Sequence, residues 1–283
     1  MPRLVSWLFV PGAAQRFMEK LRVAKPDVAV LDLEDGLTQA ERPEARKRVA
    51  LALSRSTSVT TPVAVRTNAV GTSDFTADLD ALGPALFALV LPKVASGAEV
   101  EEVGEALSRL GLGHALVVPL IESAAGLRNA FEILTAHPSV GGVAVGGEDL
   151  AADLGLPFEV PGEPSDSARR AVMDAANARV ILAAAGAGVS LRIDTPTIQL
   201  GDSELVRAAS ARARAGGFTA KFAVHPGQIE PLHSGFRPNE LEVERAEAII
   251  AAGAAGGANR VNGMMVDEAV MRQARRVLSD AER

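Results

Sequence analysis

The chain contains no cysteine, which removes disulfides, thiolate nucleophiles and Cys-ligated zinc or iron–sulfur sites from the chemistry open to it. Aromatic residues make up only 4% of its 283 positions, so its core is built mainly from aliphatic side chains. No apolar stretch approaches the roughly 20 residues that a bilayer-spanning helix requires, and residues 115–121 are typical of the longest. No apolar h-region with a small-residue cleavage site follows Met1-Pro2-Arg3-Leu4. The expectation is a soluble protein of the reducing cytoplasm with no membrane partner. Basic residues form no long run, and 29 Lys plus Arg against 35 Asp plus Glu give a net charge of -6, which argues against nucleic acid as a partner. Finally, no Gly-x-Gly-x-x-Gly follows the first apolar run, so the dinucleotide signature of an open doubly wound sheet is missing.

What the chain does have is alternation. Apolar runs of strand length recur at residues 7–10, 28–31, 63–65, 88–91, 115–121, 142–145, 189–193 and 220–224. Between them lie helix-like segments at 14–23, 44–53, 98–110, 124–136, 167–185 and 203–215, with apolar residues near helical spacing. Eight strands separated by helices predict a closed parallel barrel, the TIM (β/α)8 fold, which commonly occupies about 250 residues. Residues 1–236 are assigned to the barrel and 237–283 to a C-terminal helical extension. In that extension a helix from Arg237-Pro238-Asn239-Glu240 to about Ala252 meets a small-residue hinge at 253–258, and a last helix runs through Leu278. The stretch from Pro157 to Asp166, with three prolines and three acids, is expected to be a surface loop.

A barrel exposes its chemistry where the strands end. Glu122 follows the fifth run and Asp149 the sixth. Hard carboxylate oxygens without Cys or clustered His suit Mg2+, which takes one or two carboxylates and keeps several waters; helix capping or pairing with Arg accounts for the same two residues equally well. Leu31-Asp32-Leu33-Glu34-Asp35-Gly36 gathers three acids at the end of the second run, an arrangement that raises carboxyl pKa values unless a cation compensates, or simply a polar capping loop. Arg66 at the end of the third run offers a planar fork for a carboxylate or an enolate oxygen, compatible with a salt bridge to Glu34 or Glu122. Lys93, after Leu91-Pro92, is read as supporting the site, since nearby carboxylates oppose the depressed pKa a Schiff-base lysine needs. His225, at the end of the eighth run, is a candidate substrate contact or a local structural residue.

These residues sit in motifs that resemble the citrate lyase β-subunit-like family of metal-dependent aldolases and lyases. The likeness covers nearly the whole chain and rests on Trp7-Leu8-Phe9-Val10-Pro11-Gly12, Leu31-Asp32-Leu33-Glu34-Asp35-Gly36, Val65-Arg66-Thr67-Asn68, Leu91-Pro92-Lys93, Ile121-Glu122-Ser123-Ala124-Ala125-Gly126, Gly147-Glu148-Asp149-Leu150, His225-Pro226-Gly227-Gln228-Ile229 and Gly263-Met264-Met265-Val266-Asp267. The resemblance implies Mg2+ held by Glu122 and Asp149, and Arg66 near the reacting carbon. It further implies that Asp267 is an acid supplied to a neighbouring subunit's site in a homo-oligomer, commonly a trimer in similar proteins. The implied activity is a carbon–carbon lyase that splits a citryl-, citramalyl- or malyl-type thioester, carried on coenzyme A or on a protein, into an acyl thioester and a 2-oxo acid. Asp267 and the Glu34/Asp35 pair are the candidate acid and base groups. An aldolase on free hydroxy-oxo acids and a non-catalytic carrier-binding subunit are the alternatives. Val5 stands where many relatives have Arg, and only Arg16, Lys20 and Arg22 are available near the start to meet a coenzyme A phosphate.

Overall fold

The computed structural model describes residues 4–11, 21, 23–54, 61–158, 164–253, 259–261 and 264–282. Eight strands, β1 (Ser6–Pro11), β2 (Val28–Asp32), β3 (Val63–Arg66), β4 (Leu86–Leu91), β5 (Leu116–Ile121), β6 (Gly142–Val145), β7 (Leu191–Asp194) and β8 (Ala220–Ala223), close into one barrel. Every neighbouring pair is parallel, β8 with β1 included. Most strands are covered on both faces and so read as continuous apolar runs, although β7, Leu191-Arg192-Ile193-Asp194, alternates and β8 carries Lys221. Period-two geometry then sorts the side chains. Trp7, Val28, Val30, Ala64, Val118 and Phe222 fill the barrel, while Leu8, Leu31, Val65, Leu89 and Val117 pack outward against the helices. Four aromatics meet inside the barrel: Trp7 lies 6.1 Å from Phe87 and 6.5 Å edge-on from Phe222, and Phe9 lies 4.6 Å from Phe222.

Around the barrel run α1 (Arg42–Ser54), α2 (Ser73–Leu79), α3 (Gly97–Arg109), α4 (Ala124–Arg128), α5 (Ala130–Thr135), α6 (Gly147–Asp153), α7 (Pro164–Gly186), α8 (Ser203–Ala215) and α9 (Ile229–Phe236). Most of the helix expected at 14–23, with Arg16, Lys20 and Arg22, lies outside the described residues. The single helix expected over 124–136 is two, broken at Asn129, whose side-chain amide donates to Ala95 O at 2.8 Å. The expected surface loop from Pro157 to Asp166 is shorter than the sequence suggests, because Pro164 opens α7 and Asp166 is buried in its first turn; proline is tolerated there since its missing N–H has no helical partner.

At the bottom, the ends of β1 and β2 are tied together by Asp27. Its Oδ2 accepts from the main-chain N–H of Val5 and of Ser6, each at 2.9 Å, and from Ser6 Oγ at 3.1 Å, while His233 Nε2 of α9 lies 3.0 Å away. After the barrel come α10 (Glu240–Gly253), a two-stranded antiparallel ribbon of β9 (Asn259–Val261) and β10 (Met264–Val266), and α11 (Glu268–Ala281). Ala246, Ile249, Val266 and Ala274 form a small core of their own, and an Arg214–Glu242 ion pair links α10 to α8. Of the expected 253–258 hinge, Gly253 is the last residue of α10 and the rest lies outside the described residues.

Candidate active site

Parallel strands put all eight C-terminal ends on one rim, and the candidate residues meet there. Asp32 and Arg66, the last residues of β2 and β3, are register partners. The match lets the guanidinium dock bidentately, with Nε on Asp32 Oδ1 and Nη2 on Asp32 Oδ2, both at 2.7 Å. Its Nη1 meets Glu34 Oε2 and Asp35 Oδ2, each at 2.9 Å, and its Cζ sits 4.7 Å from the centre of the Phe9 ring. Arg66 is therefore fixed from four sides, which gives a buried cation a single orientation. Burial disfavours its charge, but its hydrogen bonds to Asp32 and the charges of Asp32, Glu34 and Asp35 outweigh that and hold it protonated.

The acidic loop after β2 is itself anchored. Asn68 Nδ2 donates to Leu33 O at 3.0 Å, and the fully buried Asp78 of α2 accepts from Asn68 N at 2.7 Å and from Asn68 Nδ2 at 2.8 Å. Asp78 also receives Arg46 Nε of α1 at 2.7 Å, so the loop position is set by the packing of two helices.

Glu122 directly follows β5 and is 5% exposed. It is not the cap of the next helix: Ser123 takes that role, its Oγ accepting from Gly126 N at 3.1 Å. Instead Glu122 Oε1 accepts the main-chain N–H of Lys93 at 2.6 Å. Oε2 lies so close to Gly146 that any Cβ there would strike it. Asp149 is not at a strand end as expected but one turn on, within the first turn of α6, exposed and without a hydrogen-bond or ion-pair partner among the described residues. Burial, the largest effect, pushes the Glu122 carboxyl up to about 8; the Glu34 charge adds to it, the Lys93 N–H opposes it, Asp149 raises it further and Arg66 lowers it. Burial likewise lifts Glu34 to about 7 against the pull of Arg66 and Lys93, with Asp35 and Asp32 adding to the rise.

Lys93 has φ +56°, a left-handed conformation that costs an L-residue about 1–2 kcal/mol. Its Nζ stands 3.7 Å from Glu34 Oε1 with the side chain 60% exposed. Two expected residues do not join this cluster. His225 is on the rim after β8, exposed, with Nδ1 accepting from Gly227 N at 3.1 Å as the cap of the short 3-10 turn Pro226–Gln228. Asp267 caps α11, its Oδ1 accepting from Val270 N at 2.9 Å, and no hydrogen bond or ion pair joins it to the rim among the described residues.

The cluster thus holds five carboxylates, Asp32, Glu34, Asp35, Glu122 and Asp149, against two cations, Arg66 and Lys93. The polar contacts of Arg66 described above all lie on the β2 side, so the Glu122–Asp149 side is short of positive charge. No group of three or more His, Asp or Glu side chains suited to a metal occurs among the described residues. Two carboxylates, one buried and one in a helix's first turn, fit a hard cation whose remaining positions go to water and substrate oxygens. Sequence reasoning missed the roles of Asp32, Phe9, Asn68, Asp78 and Gly146. Asp32 was visible as the third acid of its loop, but its register with Arg66 was not.

The model described as HpcH/HpaI aldolase/citrate lyase matches residues 5–226. A citrate lyase subunit beta-like protein of Deinococcus radiodurans is 35% identical over 285 residues, covering 98% of this chain and 96% of its own. The mitochondrial citramalyl-CoA lyase of Rattus norvegicus is 31% identical over 293 residues, covering 96% of this chain and 84% of its own. Among solved structures, protein CitE from Mycobacterium tuberculosis in complex with magnesium, acetoacetate and coenzyme A superposes with a TM-score of 0.85 at 32% identity, over 100% of this chain and 99% of that one.

Proposed function

Because the chain belongs to the HpcH/HpaI aldolase/citrate lyase family, we propose that it is an Mg2+-dependent carbon–carbon lyase acting on a 3-hydroxy-3-carboxyacyl thioester of the citryl, citramalyl or malyl type, carried on coenzyme A or on a protein. The products are an acyl thioester and a 2-oxo acid, and the reverse condensation uses the same groups. The observation that carries this reading is the buried Glu122 beside Asp149, opposite a locked Arg66, on one rim.

Glu122 and Asp149 would hold the Mg2+. Bound there, the ion supplies Lewis acidity to the substrate hydroxyl and its adjacent carboxylate. Glu34, poised near 7 beside Arg66, is suited to take the hydroxyl proton as the C2–C3 bond breaks, because a catalytic base works best with a pKa near the operating pH. The electron pair of that bond passes to C2 and the thioester carbonyl. Arg66, unable to lose its proton or swing away, faces the negative charge that gathers there. Lys93 Nζ, beside Glu34, and His225, on the rim after β8, would contact the substrate's carboxylate or acyl chain. An acid must then protonate C2, and we assign this to Asp267 of a neighbouring copy in a cytoplasmic homo-oligomer.

The test is release of 2-oxo acid from citryl-, citramalyl- and malyl-CoA by the purified chain, with Mg2+ or with chelator, beside matching free hydroxy-oxo acids. Metal-dependent release from a thioester supports the reading and names the substrate. Turnover of free acids alone makes the protein an aldolase, and inactivity without an added subunit makes it a carrier-binding component.

A further inference from the structure

Two of the motifs above, Leu91-Pro92-Lys93 and Glu122-Ser123-Ala124-Ala125-Gly126, have roles in the fold that substrate chemistry does not explain. Lys93 takes up its left-handed conformation although its side chain, 60% exposed, has no packing that demands it. The Lys93 N–H meets Glu122 Oε1 at 2.6 Å, and the left-handed φ sends the chain that follows it, Val94 to Ser96, against α3 and α4.

The turn is held there from several sides. Val94 is buried at 1% exposure. Ala95 N and Ser96 N both donate to Glu99 Oε2 at 2.8 Å, and Asn129 Nδ2 donates to Ala95 O at 2.8 Å. Gly126 of α4 lets that helix approach the turn closely, since a Cβ at that position would lie 2.5 Å from Val94 O. Backbone strain persists only where its surroundings over-determine it, and it gathers at functional sites. A main-chain amide has a further property here: it fixes a carboxylate without adding a side-chain charge that would repel a cation.

We infer that the left-handed Lys93 turn, seated against Gly126, is a positioning device whose amide occupies Glu122 Oε1 so that Oε2 stays aimed at the cation. Lys93 thereby acts through its main chain, and Gly126 acts without touching the site. This rests on the reading that Glu122 holds Mg2+. Outer hydrogen bonds that orient metal ligands typically account for 10- to 100-fold in affinity.

The test is calorimetric titration with Mg2+ alone, together with the thermal midpoint of the metal-free protein. Four proteins are compared with the wild type: Glu122→Gln, Gly126→Ala, Lys93→Gly, and a variant carrying an α-hydroxy acid analogue at residue 93, which replaces the amide by an ester with no N–H. The expectation is that Glu122→Gln fails to bind. The ester variant and Gly126→Ala bind roughly 10- to 100-fold more weakly, and Lys93→Gly, which keeps the N–H and tolerates positive φ, binds like the wild type. If Gly126→Ala does not fold, the ester variant, with α4 untouched, decides alone. Wild-type affinity in the ester variant beside a dead Glu122→Gln overturns the positioning role and leaves the metal site standing. A loss in Lys93→Gly equal to that in the ester variant overturns it too, because the side chain would then be what matters. Unaltered binding by Glu122→Gln, or none by the wild type, overturns the metal site instead.

Discussion

At the scale of single residues, the site works by giving like groups different surroundings. Glu122 is buried and Glu34 largely so, yet Glu34 leans on Arg66 and Lys93 while Glu122 faces Asp149 with only an amide for support. If Glu34 is the base for cleavage, it must be ionised. The rate then falls as pH drops through its pKa, at or below about 7 because a bound cation adds positive charge nearby. A kcat/KM profile measured in the cleavage direction should show this limb, and Glu34→Gln should remove it along with most activity; an unchanged limb in that variant would exclude the assignment. The sequence made Glu34, Arg66, Glu122 and Asp149 legible because acids and a lone Arg stood where apolar runs ended. It could not disclose that Asp32 clamps Arg66, since strand register comes from the closure of the sheet. Nor could it disclose the φ of Lys93, because nothing in Leu-Pro-Lys signals a left-handed lysine.

At the scale of elements, the strands were the most readable part, since two-sided burial writes itself as short runs of Val, Leu and Ala. The missed pieces were short. Ser73–Leu79 and Gly147–Asp153 each span seven residues, too few to display a helical period, and the second of them carries Asp149 into a helix's first turn. The break at Asn129 was hidden because good helix formers flank it on both sides. Ser73–Leu79 matters more than its length suggests: through Asp78 and Asn68 it sets the height of the acidic loop. Asp78→Ala would remove the acceptor of the Asn68 main-chain N–H and of Arg46 Nε, while Arg46 Nη2 keeps Asp74. We expect a loss of about 3–5 kcal/mol in urea unfolding, the usual scale for breaking a buried charged network, whereas Asp74→Ala, at the exposed end of the same network, should cost much less. Equal losses would mean that burial of Asp78 is not what anchors the loop.

At the scale of the whole molecule, the barrel is pinned at its closed end and carries the candidate site at its open end. At the closed end, burial raises the Asp27 pKa, but the His233 hydrogen bond, the Ser6 and Val5 N–H donors and the His233 charge outweigh it and leave the group below the usual aspartate range. A lowered folded pKa stabilises above the unfolded value, and that stability is lost as pH falls through the folded one. Acid titration of stability should therefore show a decline below about pH 4 that is reduced in Asp27→Asn, and an identical decline in both would assign it elsewhere. Beyond the barrel, Asp267 caps α11 in its own chain. If it serves a neighbour, mixing inactive Asp267→Ala and Glu122→Ala proteins through dissociation and reassembly should restore part of the activity, and no recovery would confine the site to one chain. The most direct test of the account is the rate of 2-oxo acid release from the preferred thioester at saturating Mg2+, wild type against Glu122→Gln. The metal's contribution of several kcal/mol predicts a fall of more than about 100-fold, with chelator reducing the wild type to the same floor. Release by Glu122→Gln at the wild-type rate, or undiminished release in chelator, would contradict an Mg2+-dependent lyase on this rim.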